Sequence, residues 1–207
     1  MRAVIGTIAM ILYYLSIQYC GSGRASLYNT TYPIFVAIYS AVVFKEKLKK
    51  NNLISILLCI IGVYMVLYDG SSINLKGDLL GILSGVTGGI SYAYSKRARE
   101  KDHSFNIYLW ICLCGVLFSS FSAGEIISLN IRTVILLIIS AAVVFAAQIS
   151  ITYGTKFVPV VKGSIISFLR VPLTIILSYL ILHESFKLKF IAGTVLIMSG
   201  LIINRKG

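Results

Sequence analysis

Eight apolar runs, each close to the twenty or so residues a helix needs to cross about 30 Å of hydrocarbon, divide the 207-residue chain with little left between them. They lie near 3–19, 25–44, 53–68, 77–94, 106–121, 133–153, 163–182 and 188–203. Backbone polar groups in lipid must be satisfied within a helix or a closed barrel, and no alternating ten-residue pattern is present, so the runs predict helices. The expected fold class is an all-α integral membrane protein, a multi-helix bundle of about eight transmembrane helices. Composition closes the alternative of a water-soluble domain: 57% of the residues are hydrophobic, 13% are charged and the mean hydropathy is +0.89.

Two of the runs are copies of one design. Pro33 opens an apolar stretch that stops at Glu46, and Pro172 opens another that stops at Glu184. A short basic stretch follows each glutamate, then an apolar helix with a glycine in it, Gly62 in the first copy and Gly200 in the second. Glu46 to Glu184, Gly62 to Gly200 and Arg24-Ala25-Ser26 to Lys162-Gly163-Ser164 all share an offset of 138 residues. The register slips by one at the proline, thirteen steps to the glutamate in one copy and twelve in the other, as duplication with drift produces. Two copies of about seventy residues in so apolar a chain predict a duplicated membrane protein rather than a solenoid. The only stretch resembling a linker, 69–74, joins the halves.

Charge then sets topology. Nineteen Lys and Arg stand against seven Asp and Glu. With an even number of spans both termini share a side, and that side holds thirteen basic residues against five on the other. The asymmetry predicts cytoplasmic termini in a cell membrane. Clusters at 47–50 and 96–101 read as topology determinants meeting anionic lipid, which leaves no case for nucleic acid as a partner. Cys20, Cys59, Cys112 and Cys114 have no metal-ligand spacing and are expected as free thiols. No cofactor is implied. Arg2 and the run to Cys20 have a signal-peptide outline, but Gln18-Tyr19 offers no small-residue cleavage site, so a retained helix is expected.

Within the spans a few residues stand out. Tyr13, Tyr14, Ser16 and Gln18 sit in the first, and Tyr28, Asn29, Thr30 and Thr31 open the second. Gly77, Gly81, Gly85 and Gly89 recur every four residues, which places them on one helix face as a packing ridge. Trp110 and Tyr108 read as interfacial anchors. Gln148 and Thr152 are one turn apart and share a face, with Tyr153 beside them. Arg170 is the costliest residue, since an arginine near the bilayer middle costs at least roughly 2.5 to 3.5 kcal/mol on insertion scales. No carboxylate is expected at its depth; Glu184 is fourteen residues on, about 21 Å along a helix. Arg170 therefore faces substrate or cavity water, or is a structural arginine capped by carbonyls and tyrosines or drawn to an interface.

The doubled proline-to-glutamate helix followed by a glycine-bearing helix resembles the EamA-type permeases of the drug/metabolite transporter superfamily over nearly the whole chain. The resemblance implies a fold of two inverted five-helix repeats around a cavity exposed alternately to each side. Residues 1–70 correspond to a partial first repeat of three helices and 75–207 to a full second repeat of five. The first two helices of the first repeat are missing by this alignment, so the expectation includes a fragment, a wrongly started reading frame, or a short protein that pairs as a homodimer or with a second membrane subunit. The small multidrug relatives carry a proton-coupling glutamate within their first helix, and no acidic residue is expected at membrane depth here. The leading expectation is a permease for a small polar or anionic metabolite, amino-acid-like or a drug, working by alternating access. Arg170 would bind negative charge, and Gln148, Tyr153, Asn29 and Tyr14 would line the cavity. The alternative is a non-transporting or partner-dependent membrane subunit, or a truncated remnant of a ten-helix permease. An enzyme is not expected, because His103 and His183 sit near helix ends without a nucleophile or metal-ligand spacing around them.

Overall fold

The computed structural model describes residues 2–45, 48–68, 74–99, 102–119, 130–182 and 188–206. Glu46, His183, Glu184 and the linker positions 69–73 lie outside the described residues. Every regular element among those described is helical, and the chain is an all-α membrane bundle. The helices are α1 (Arg2–Thr30), α2 (Tyr32–Val43), α3 (Lys50–Leu67), α4 (Leu75–Arg99) and α5 (Ser104–Ser119). They continue with α6 (Ile131–Gly154), α7 (Val160–Ile166), a 3-10 turn (Ser167–Leu169), α8 (Arg170–Leu182) and α9 (Leu188–Lys206).

The first helix is two rods. Gly21 breaks α1 at φ 80°, ψ 162°, a conformation a side chain would make costly. Tyr13 and Ser26, on opposite sides of the break, hydrogen bond to each other at 2.8 Å, so the chain doubles back as a hairpin. α4 lies in its cleft. Gly77 abuts Tyr19 and Cys20, Gly81 abuts Ser16 and Tyr28, Gly85 reaches the Tyr28 carbonyl, and Gly89 meets Phe35 and the Tyr32 carbonyl. The glycine ridge therefore runs against the outgoing arm and along the returning arm into α2, with no Cβ to hold the backbones apart.

Both proline helices are interrupted. The returning arm of α1 stops at Thr30, and α2 restarts with Pro33 in its first turn, where a missing N–H costs nothing. In the second copy α7 gives way to the turn Ser167–Leu169 before α8 restarts with Pro172 in its first turn. Counted across these interruptions, the described helices form eight rods in the order of the eight apolar runs.

α3 and α9 cross in antiparallel fashion. Ser55 faces Gly200, Cys59 faces Ile197, Gly62 faces Gly193, and Lys189 Nζ donates to the Tyr68 carbonyl at 3.1 Å. Cys59 and Ile197 are 138 positions apart, so equivalent positions of the two copies meet each other, as at a two-fold axis. Gly62 and Gly200 then make matching contacts on either side of it. This seam anchors a core of Ile56, Val63, Ile165, Phe168 and Ile197.

Arg24, just ahead of the apolar run at 25–44, lies in the helical returning arm, only 5% exposed, and donates to Asp78 Oδ2 at 2.6 Å. A carboxylate in the first turn of α4, favoured there by the helix dipole, supplies the partner that lets the arginine be buried. Asn74 ties the same end together, donating to the Tyr19 carbonyl and accepting from the Gly77 N–H.

Candidate functional site

A cavity of about 260 Å³ lies between the packed wall of α1 and α4 and the helices α5 and α6. The outgoing arm of α1 contributes Arg2, Gly6, Ala9, Met10 and Tyr13, a spacing that keeps one helix face turned inward. From the returning arm comes Asn29, whose Nδ2 donates to Ser84 Oγ on α4 at 3.3 Å. α4 adds Gly88, Ser91, Tyr92 and Ser95; α5 adds Tyr108 and Ile111. Gln148, Thr152 and Thr155 line it from α6, with Val144 and Ile151 between them. Hydroxyls and amides thus stand on facing walls of a cavity whose lining is otherwise mainly apolar.

The cation in this cavity is Arg2. Its Nη2 donates to Thr152 Oγ1 at 3.1 Å, and its backbone carbonyl accepts from Ser91 Oγ at 3.2 Å. Among the described lining residues there is no carboxylate. The site can therefore offer a positive charge, several hydroxyls and two amides.

Of the residues named from sequence, Asn29 and Gln148 line the cavity together. Tyr14 and Tyr153 do not: they are 57% and 54% exposed, and Tyr153 packs its ring on Phe157 beneath Arg99. Arg170 begins α8, with an exposed side chain whose Nη2 donates to Thr30 Oγ1 at 3.0 Å. Its guanidinium lies 5.9 Å from the centre of the Tyr32 ring, and Tyr32 in turn packs at 5.6 Å against Tyr92, which lines the cavity. Arg170 thus stands two aromatic rings behind the cavity wall and ties the interrupted helices of the two copies to each other.

Most of the lining was not singled out as site residues by sequence, Arg2, Tyr13, Tyr108 and Thr152 among it. Tyr13 rather than Tyr14 turns inward, and it continues the α1 face through positions 2, 6 and 9. Thr152, fully buried, shares the face of Gln148, so the one-turn spacing already pointed to it over its neighbour Tyr153. Tyr108 is part of the cavity wall, while Trp110, two residues on, is 62% exposed on the outside of α5.

Comparison with known proteins gives a consistent picture. The sequence model of the EamA-like transporter family matches residues 1–68 and 75–205. A protein of Archaeoglobus fulgidus described as an uncharacterized transporter is 25% identical over 203 residues, covering 97% of this chain and 73% of its own. One from Clostridium kluyveri, described the same way, is 24% identical over 96% of this chain and 68% of its own. An uncharacterized transporter of Helicobacter pylori is 32% identical over 102 residues, 48% of this chain, and that match spans only 34% of the relative. Among solved structures, one crystal structure superposes with a TM-score of 0.83 at 15% identity, over 98% of this chain and 74% of that one. That likeness speaks for the fold.

Proposed function

Since the chain belongs to the EamA-like transporter family, we propose that it moves a small polar or anionic metabolite across a cell membrane by alternating access. The observation that carries this reading is the cavity itself, where Arg2, two amides and several hydroxyls interrupt a mainly apolar lining and leave room for an amino-acid-sized guest. Asn29 and Gln148 contact the cargo. Arg170 is a positioning residue, acting through Tyr32 and Tyr92 on the wall and through Thr30 on the interrupted helix. Residues 1–70 and 75–207 act as two inverted repeats that hinge at the interruptions before Pro33 and Pro172, with both termini on the cytoplasmic side.

The test is uptake into proteoliposomes of the full chain, screened with labelled amino acids and small carboxylates. Replacing Asn29 and Gln148 together with alanine lowers uptake about tenfold, the loss of roughly one net hydrogen bond in a desolvated site. Uptake at the unmodified rate in that double variant would remove the cavity from the route. Arg170→Lys keeps more activity than Arg170→Ala if the charge above Tyr32 is what matters.

A second reading has one observation in its favour. α6 buries a single residue, Thr152, and exposes Ile135, Leu136, Ile138 and Val143 on its remaining faces. A partner-dependent subunit, in a homodimer or with another membrane protein, would cover that helix with protein instead of lipid. Crosslinking in native membranes separates the two: measurable uptake by an isolated monomer speaks against the partner.

A further inference from the structure

We propose that Arg2 is the anchor for a carboxylate in the cavity, so that the guest is a small molecule with a carboxylate at one end and an uncharged polar group about one helical turn away. The inference rests on the transport reading for its purpose and on three features of the cavity for its chemistry.

The first is an unmet donor. Arg2 Nη2 is used by Thr152, while Nη1, covered in this structure, has no acceptor among the described residues, and a guest would reach it as the lining beside it gives way. A buried guanidinium donor without an acceptor is rare and calls for a missing partner, and the group that best matches a guanidinium fork is a carboxylate. The second is charge. Among the described lining residues Arg2 is the one charged side chain, and nothing acidic faces it from α4, α5 or α6. An anion entering the cavity is compensated, and a cation is not. The third is spacing. Gln148 lies one turn from Thr152 on α6, about 6 Å along the axis, and Asn29 faces the same space from α1. Amides at that remove accept or donate to an amine, amide or hydroxyl but do not select a second charge.

Arg2 is thereby distinguished from the other basic residues. Arg24 is engaged by Asp78, and Arg132 is an exposed residue at the opposite end of α6 from Thr152. The headgroup of an anionic lipid could offer Arg2 related chemistry, so the test separates it from a free solute.

The experiment is a titration of the full chain in phosphatidylcholine nanodiscs, with arginine labelled in its guanidinium and read by NMR. The Arg2 signal is assigned by its disappearance in Arg2→Lys, and persistence of the remaining signals shows that this variant keeps its fold. Acetate, the smallest carboxylate, is added to the unmodified protein, and acetamide serves as its uncharged counterpart. The inference predicts a saturable shift at Arg2 with acetate, none with acetamide, and only a non-saturating drift at Arg132. It further predicts that acetate binding, read by thermal stabilisation, weakens at least about tenfold in Arg2→Gln and partly returns in Arg2→Lys. An Arg2 signal that ignores acetate, that follows the same curve as Arg132, or that moves only when phosphatidylglycerol is mixed into the nanodisc overturns it. The two readings fail separately. Acetate binding at Arg2 without uptake of any solute sinks transport and leaves the anchor, whereas uptake that is indifferent to Arg2→Gln sinks the anchor and leaves transport.

Discussion

The two walls of the cavity are built by different means. On the α1–α4 side the backbones touch: an added Cβ at Gly77, Gly81, Gly85 or Gly89 would come within 2.9 Å of a neighbouring heavy atom. On the α5–α6 side a Cβ at Gly115 or Gly154 would meet nothing within 4 Å, and the α6 residues are exposed almost throughout. α5 and α6 meet through rings, Phe105 and Tyr108 each edge-on to Phe145 at 6.0 and 5.3 Å. Close-packed backbones resist relative motion, because any shift opens voids along the whole ridge; side-chain contacts between two rods can slide. The comparison teaches that the cavity has one wall held by backbone contact and one held by side-chain contacts.

Breaking the backbone-held wall should give the largest effects. Removing the partner of a buried carboxylate by Arg24→Ala is expected to destabilise the chain by about 3 to 5 kcal/mol, seen as a lowered unfolding transition in detergent. Adding Asp78→Asn to that variant should recover part of the loss, since it removes the stranded charge; no recovery would mean that the arginine contributes by packing alone. Gly89→Ala comes next. Its Cβ would meet the Tyr32 carbonyl at 2.8 Å, and backbone cannot yield as a side chain can, so about 1 to 3 kcal/mol is expected. Gly115→Ala and Gly154→Ala on the side-chain-held wall are the matched controls and should leave the transition within about 0.5 kcal/mol of the parent. If all three glycine variants behaved alike, the contrast between the walls would be lost. The smallest effects belong to Tyr14→Phe and Tyr153→Phe, whose rings face away from the cavity, and uptake should not change in either.

Much of this architecture was readable in the chain. Span-length apolar runs, the prolines and the glycines every fourth residue sufficed for eight rods and for the ridge on α4, because each depends on local periodicity and on what lipid tolerates. The hairpin at Gly21 was not readable to the same degree: Cys20-Gly21-Ser22-Gly23 has the composition of a loop, and only the contact of Tyr13 with Ser26 shows that a single residue makes the reversal. The candidate site was half legible. Gln148 and Asn29 were found because amides in an apolar span must face something polar. Arg2 and Tyr108 were missed because residues near helix ends normally read as topology signals and anchors, and which neighbouring helix they face is a matter of tertiary packing. Arg170 was prominent for its cost. Its hydrogen bond to Thr30 and its place over Tyr32 provide, within the protein, the partners that cost demands.

The central claim is that the cavity beside α6 is reached from both sides of the membrane in turn. Gln148→Cys tests it most directly, placed in a chain whose four native cysteines are changed to serine and whose uptake is first shown to persist. A membrane-impermeant thiol reagent is applied to one face of proteoliposomes and then to the other, with and without transported solute. The account predicts labelling from both faces, with solute shifting the balance between them, and no labelling at a cysteine placed at Gly85 on the backbone-held wall in any variant that still folds. Labelling of position 148 from one face only, unchanged by solute, would contradict it.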